Sequence, residues 1–186
     1  RVTMHMPKIC NIVASAAVWT MLYSTYGPFT QLMKALGWTD PPRFLASYTW
    51  ALPAIMLMSI WQRLGYHVFL YSASLTSLPK DIYEAADLDG VNGIQRFFYI
   101  TLPQLKPTTF FVVIMLTIAS FKVYDQMYMI TQGGPGNATM TLVYYIYNVA
   151  FVNTPKYGYA SAVAMVLFVL VLAVTIIQFK GSSNND

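Results

Sequence analysis

The sequence predicts an all-α transmembrane protein, and three features carry this prediction: its composition, its apolar runs and one polar stretch between them. Hydrophobic residues make up 56% of the 186 residues, charged residues make up only 10%, and the mean hydropathy is +0.49. An average soluble domain is about 25% charged. Charge this sparse cannot cover a soluble surface of this size, so we expect a polytopic helix bundle in a membrane.

The composition also excludes several other classes of protein. Disorder requires low hydrophobicity and high charge, which this chain lacks. The single cysteine, Cys10, excludes a disulfide framework and a cysteine-based metal site. The net charge of +4 comes from scattered basic residues, so we expect no nucleic-acid partner. The chain begins at Arg1 without a charged n-region and cleavage site, so we expect no signal peptide and interpret the sequence as a fragment.

Apolar runs predict about four spans, since a membrane-crossing helix needs about 20 residues. They lie at residues 4–24, 45–75, 104–126 and 157–179. The second run is longer than one span, so we expect a tilted helix with a kink near Pro53. The fourth is the clearest, because it contains no charged residue.

Residues 79–107, between the second and third spans, concentrate the charge that the spans lack. Seven of the eighteen charged residues fall here: Lys80, Asp81, Glu84, Asp87, Asp89, Arg96 and Lys106. The positive-inside rule favours the cytoplasm for this stretch, and four spans then place both ends of the chain inside. On the outer side we expect a glycine-rich turn at 133–137 and an aromatic segment, 141–151, at the membrane surface.

Within this stretch, residues 79–103 predict two short helices joined at a glycine. An acidic residue in the first turn favours the start of the first helix, and Gly90 can adopt the positive φ that ends it. We expect the second helix to run from Val91 to about Ile100, and Pro103 to begin the next span. Two adjacent alanines in the first helix offer a flat surface that another protein can approach closely.

The same residues form a spaced motif. Glu84-Ala85-Ala86 is followed after three residues by Gly90, and after nine more by Ile100-x-Leu102-Pro103. This pattern resembles the EAA signature of permease subunits in binding-protein-dependent ABC importers. The segments at 100–105, 131–135, 141–147 and 150–151 resemble the subgroup that imports sugars and oligosaccharides. Within it they resemble the maltose-F or glycerol-phosphate-A type of subunit more than its G or E type partner. The resemblance covers nearly the whole chain.

The resemblance implies a type I ABC importer permease fold of about six spans, of which the first two precede this sequence. It implies a heterodimer with a second permease subunit, a cytoplasmic ATPase dimer, an extracytoplasmic solute-binding protein and a sugar substrate. It places the protein in a bacterial or archaeal cell membrane, embedded in the lipid bilayer as a multi-pass protein. By this resemblance the residues that couple to the ATPase are Glu84, Ala85, Ala86, Gly90, Ile100, Leu102 and Pro103.

No catalytic constellation accompanies the motif, so we do not expect an enzyme. The sequence lacks the G-x-x-x-x-G-K-[ST] phosphate cradle, so ATP and Mg²⁺ are expected on the partner ATPase, with no cofactor or metal in this chain. The alternative function is a membrane channel or interaction protein whose cytoplasmic loop binds another partner. An intramembrane enzyme would rest only on Arg63, His67 and Asp125, which form no recognisable catalytic set.

Polar residues within the second and third spans are candidates for the substrate pathway, since intramembrane ionisable residues are often functional. The candidates are Arg63, Tyr66, His67, Ser120 and Lys122. Simpler roles stay open for each of them. Arg63 and His67 can lie at the wet end of a helix or satisfy backbone carbonyls, Tyr66 can serve packing, and Lys122 can pair with Asp125 on one helix face.

Overall fold

The computed structural model describes residues 11–152 and 154–183, and over these ranges the fold is all helical, with no strand. The first part of the predicted span 4–24, including Cys10, lies outside the described residues. The helices of the described ranges are α1 Ile12–Leu22, α2 Pro28–Ala35, α3 Ala51–Thr76, α4 Lys80–Leu88, α5 Gly93–Gln104, α6 Lys106–Phe121, α7 Leu142–Val152 and α8 Tyr157–Ser183. A short π-helix, Met127–Thr131, lies between α6 and α7.

Helix α8 is the described helix that is long and apolar enough by itself to cross a membrane, over Tyr157–Ser182. Helices α5 and α6 meet that criterion only together, and they are bent by 63° where they join. The predicted span 45–75 overlaps α3, which begins later at Ala51 and ends at Thr76, and the predicted span 104–126 contains the shorter α6. The count of four spans therefore stays a prediction.

Two prolines occupy positions within their helices that differ from those expected. Helix α3 begins at Ala51, which places Pro53 in its first turn, where a residue without an N–H costs no intrahelical hydrogen bond. Pro53 therefore cannot kink the interior of this helix. Pro103 belongs to the last turn of α5, and α6 begins later, at Lys106.

Two aromatic-rich clusters anchor the first half of α3. Trp19 and Tyr23 pack with Ala54 and Met58, and the Tyr23 hydroxyl donates to the Ala54 carbonyl oxygen at 2.8 Å. On the other side of α3, Ile55 packs against Met127 of the π-helix and Tyr144 of α7. The start of α3 is thus held between α1 and the segment that follows α6.

Helix α6 lies between α3 and α8 and is joined to each by side-chain hydrogen bonds. Toward α3, Ser74 and Thr108 share a hydroxyl pair at 2.6 Å, and Tyr71 donates to Thr109 at 3.1 Å. Toward α8, Gln178 Nε2 donates to Thr117 Oγ1 at 2.7 Å. Helix α6 therefore connects the polar stretch to the two long helices, α3 and α8.

Candidate functional site

The first helix of residues 79–103, hereafter the EAA loop, ends as expected at a glycine. Gly90 has a φ of +70° and follows Asp89, the C-cap residue of α4. The Val91 N–H donates to the Ala86 carbonyl at 3.1 Å, and the Gly90 N–H donates to the Asp87 carbonyl at 3.2 Å. This pair of bonds is the Schellman pattern, which needs a left-handed residue at the position of Gly90.

The second helix of the loop differs from the expectation at both ends. It begins at Gly93, because Asn92 caps it: the Asn92 N–H donates to the Gln95 side-chain oxygen at 3.2 Å. It continues past Ile100 to Gln104, through a π-helical turn at Phe97–Thr101. In that wide turn the Leu102 N–H bonds to the Phe97 carbonyl, so the ordinary i→i−4 ladder is already interrupted before Pro103.

Helices α4 and α5 are tied together at two places. Arg96 forms an ion pair with Asp87, with side chains that are 31% and 58% exposed respectively. The hydroxyls of Tyr83 and Thr101 lie 3.1 Å apart in a hydrogen bond. The second contact brings the two halves of the spaced motif together, because Tyr83 precedes Glu84 and Thr101 lies between Ile100 and Leu102.

The alanine pair does not form one surface. Glu84 and Ala85 are exposed on α4, whereas Ala86 is 4% exposed and faces inward. Neighbouring residues on a helix do not share a face, so only one alanine of the pair is open to a partner. In the other half of the motif, Ile100 is half-buried, and Leu102 and Pro103 are exposed.

The loop also exposes large apolar side chains that the motif does not include. Leu88 is 89% exposed and Tyr99 is 78% exposed. Ile94 and Phe98 are exposed beside them on the loop. Such a surface is typical of a protein–protein contact. Tyr99 is not among the residues predicted from the sequence, although a large aromatic residue on a polar loop is a usable signal.

The three pathway candidates of α3 form a local group. His67 Nδ1 donates to the Arg63 carbonyl oxygen at 2.8 Å, which requires a proton on Nδ1. The Tyr66 and His67 rings meet edge to face, with centroids 5.5 Å apart. His67 thus satisfies a backbone carbonyl of its own helix, one of the simpler roles left open, and its Nε2 atom remains available to a ligand.

The two candidates of α6 lie at its C-terminal end. Ser120 is exposed and donates to the Thr117 carbonyl at 2.8 Å. Lys122 follows the last residue of the helix and is also exposed. The pairing with Asp125 that stayed open for Lys122 is not among the ion pairs of the described residues, and the two residues do not share a helix, because α6 ends at Phe121 and Asp125 belongs to the next helical segment. The ion pair of the described ranges joins Arg96 and Asp87 instead.

The pathway candidates of α3 and of α6 lie at a similar position along the axes of the two helices, hereafter one level of the bundle. Tyr71 contacts Thr109, and the two antiparallel helices rise equally per residue. Arg63 precedes Tyr71 by eight residues, so it lies about 12 Å along α3 from the contact with Thr109, and Thr117 lies as far along α6. Two glutamines that the sequence analysis did not propose lie near this level: buried Gln126 donates to Gln62 at 3.4 Å. Gln62 could have been found as the neighbour of Arg63, whereas no local signal marks Gln126.

No cluster of three or more His, Cys, Asp or Glu residues suited to a metal ion occurs within 11–152 and 154–183. The polar level of α3 and α6 offers a hydroxyl group from Ser120, an amide from Gln62, an imidazole from His67 and a cation from Arg63. Such groups can bind a hydroxyl-rich ligand by hydrogen bonds.

Comparisons with known proteins agree with the EAA resemblance. A family model described as binding-protein-dependent transport system inner membrane component matches residues 8–180. The chain is 34% identical over 185 residues to the lactose transport system permease protein LacF of Rhizobium radiobacter, covering 98% of this chain and 62% of the relative. It is 35% identical over 181 residues to the trehalose/maltose transport system permease protein MalF of Thermococcus litoralis, covering 97% and 60%. The chain thus spans about three fifths of the length of these relatives.

The fold matches that of a solved transporter. The structure of a bacterial ABC transporter involved in the import of the acidic polysaccharide alginate aligns with a TM-score of 0.85 at 22% identity. The match covers 97% of this chain and 63% of that one. At this identity the likeness shows the type of fold.

Proposed function

Since the chain belongs to the family of binding-protein-dependent transport system inner membrane components, we propose that it is part of a permease subunit of an ATP-driven importer of sugars or oligosaccharides. The match over residues 8–180 is the observation that carries this proposal. The sugar class is supported by relatives named for lactose and for trehalose and maltose, each at least 34% identical. The protein would be a transporter and not an enzyme.

The EAA loop would dock on a cytoplasmic ATPase subunit. Glu84, Ala85 and Leu88 are exposed on α4, and Tyr99 is exposed on α5. A carboxylate beside apolar side chains suits a cleft that offers a cation and an apolar wall. ATP and Mg²⁺ would be held by that ATPase. A second permease subunit and an external solute-binding protein would complete the importer.

The contacts of the loop suggest how its movement would reach the membrane. The Asp87–Arg96 pair and the Tyr83–Thr101 bond let α4 and α5 move as one body. Helix α5 continues into α6 through the bend of 63°, and α6 is hydrogen-bonded to α3 and α8. A displacement of the loop would therefore tilt α6 and pull the helices on both sides of it.

The shared level of α3 and α6 would then line the sugar pathway. Arg63, His67 and Ser120 would face the route, and Tyr66 would offer a ring to stack against a sugar. Lys122 would lie at the outer end of this route. A tilt of α6 would change the distance between the α3 and α6 groups, and so alter which side of the membrane reaches the sugar.

The coupling role is tested with matched carboxamide variants of the complete subunit in its complex. Glu84→Gln removes an exposed carboxylate of the motif, and Asp81→Asn removes another exposed carboxylate from the same helix, outside the motif. We expect Glu84→Gln to lower ATP-dependent uptake about tenfold, because it removes a charge-assisted contact at the interface with the ATPase. Uptake in Asp81→Asn stays within about twofold, since an exposed charge contributes little.

Uptake of labelled oligosaccharides and co-purification of the ATPase are the two measurements. Equal uptake and equal co-purification in both variants would remove the coupling role from Glu84. Sugar flux that persists without ATP would instead favour the alternative function, a membrane channel.

A further inference from the structure

An open groove lies where the EAA loop meets the membrane helices. It is formed by the end of α5, the first turns of α6 and the end of α8, and its volume is about 870 Å³. This lies within the range of roughly 300–1,000 Å³ that is typical of ligand pockets. Neither the EAA motif nor the pathway candidates explain this groove, although Leu102 and Pro103 form part of its wall.

The walls of the groove are amphipathic. Leu102, Phe110 and Val113 contribute apolar surface, and Phe110 is held in place by an edge-to-face contact with Phe179, with ring centroids 5.2 Å apart. Lys106 supplies a cation, and Ser182 supplies a hydroxyl. No acidic residue is among the described residues that line the groove.

The charge of Lys106 is not neutralised by the protein over the described ranges. The ion pair found there joins Arg96 and Asp87 and does not include Lys106. Lys106 is also the first residue of α6, a helix of 16 residues, so the positive end of the helix dipole adds to its field. The groove therefore favours an occupant that carries an anion on an apolar body.

Charge complementarity selects a lipid over a protein helix. A helix packed into the groove would cover the Lys106 ammonium and would need an acidic residue to compensate for its desolvation. An anionic phospholipid brings its own phosphate and fits the apolar wall with its acyl chain. One side of the groove is the end of α8, the helix suited to crossing the membrane, so a lipid beside that helix would lie next to the groove.

We propose that this groove is a binding site for an anionic phospholipid, with its phosphate on Lys106 and an acyl chain along Phe110 and Val113. The lipid would contact Leu102 and Pro103, and so brace the junction between the EAA loop and α6. This site is independent of the proposed transport function, because its occupant and its test do not involve sugar or ATP.

The headgroup contact is tested by lipid binding to the complete protein in detergent. Phosphatidylglycerol and phosphatidylcholine with the same acyl chains are titrated, and bound lipid is counted by native mass spectrometry. Lys106→Gln weakens phosphatidylglycerol binding about fivefold, the effect of one basic residue near an anionic lipid surface. It weakens phosphatidylcholine binding less, because the choline cation of that lipid already offsets its phosphate charge. Lys180→Gln is the matched control, since Lys180 is exposed on α8 outside the groove.

The acyl-chain contact is tested by filling the groove. Val113→Trp places a bulky ring on the groove wall and reduces binding of both lipids. Val166→Trp, at an exposed position nearer the N-terminal end of α8, leaves binding of both lipids unchanged. Equal phosphatidylglycerol affinities of Lys106→Gln and Lys180→Gln would overturn the proposal. The same result is expected if another protein segment, and not a lipid, fills the groove. Displacement of phosphatidylglycerol by glycerol 3-phosphate would also overturn it, because the site would then bind a soluble anion.

Discussion

The EAA loop and the interface between α3 and α6 adjoin each other but are stabilised by different interactions. The loop is tied by an ion pair, Arg96–Asp87, in addition to the Tyr83–Thr101 hydroxyl bond, and it leaves large apolar side chains such as Leu88 uncovered. The interface is tied by neutral groups, the Ser74–Thr108 hydroxyl pair and the Tyr71–Thr109 bond. A partly exposed ion pair is screened and weak. Neutral hydroxyl pairs avoid the desolvation cost of buried charge.

This difference separates the consequences of substitutions in the two regions. The loop keeps its shape through local capping, and its apolar surface calls for a partner. The α3–α6 interface is complete within the chain, so its bonds contribute to the stability of the helix bundle itself. Loop variants should therefore change local opening, and interface variants should change global unfolding.

The largest expected effect comes from Gly90. Its φ of +70° costs a residue with a side chain about 1–2 kcal/mol, although nothing lies within 4 Å of an added Cβ. Gly90→Ala should therefore open the end of α4 about 5–30-fold more often. Amide hydrogen exchange at Val91, whose N–H closes the α4 cap, measures this opening directly.

Gly93→Ala is the matched control for this experiment. Gly93 has open space around its added Cβ but no positive φ, and it begins α5, where alanine favours the helix. Exchange at Val91 should not accelerate in this variant. Equal acceleration in the two variants would mean that the loop responds to any added side chain, and that the left-handed turn at Gly90 does not hold it.

The next effect concerns the hydroxyl pair of the α3–α6 interface. A double-mutant cycle of Ser74→Ala and Thr108→Val should give a coupling energy of about 0.6 kcal/mol, the average for hydrogen bonds between membrane helices. The free energy of unfolding in mixed micelles of dodecyl maltoside and sodium dodecyl sulfate is the measurement. Ser72→Ala, at an exposed position on the same helix, should leave the free energy of unfolding unchanged. A coupling energy near zero would show that the pair is replaceable by water.

The sequence predicted local features of the two regions better than contacts between helices. The positive φ of Gly90 follows from its own chemistry and its neighbours, so it could be foreseen. The Ser74–Thr108 and Gln178–Thr117 bonds join residues 34 and 61 positions apart, and they depend on the rotation of each helix. No single-helix pattern contains that rotation.

Helix ends were predicted least well, for physical reasons visible in the structure. Lys122 and Asp125 could pair on one helix face because they are three residues apart, yet α6 ends at Phe121. The second loop helix continues past its expected end because a π-helical turn just before Pro103 accommodates the proline within the helix. Helical spacing along α3 places the pathway candidates Arg63, Tyr66 and His67 together, whereas Gln126 reaches Gln62, the neighbour of Arg63, only through tertiary packing.

The smallest expected effect concerns the Asp87–Arg96 pair, and its sign is the informative part. Both side chains are partly exposed, so the pair should contribute only about 0.2–1 kcal/mol, less at high salt. Each native charge also opposes a helix dipole: Asp87 lies in the last turn of α4, and Arg96 lies in the first turn of α5. The double exchange Asp87→Arg with Arg96→Asp keeps the pair and reverses both dipole terms. It should therefore slow amide exchange at Asp89, near the end of α4, relative to either single variant, and bring it to the native rate or below. Faster exchange in the double variant than in both single variants would mean that contacts specific to the native side chains hold α4 against α5, and that charge attraction does not.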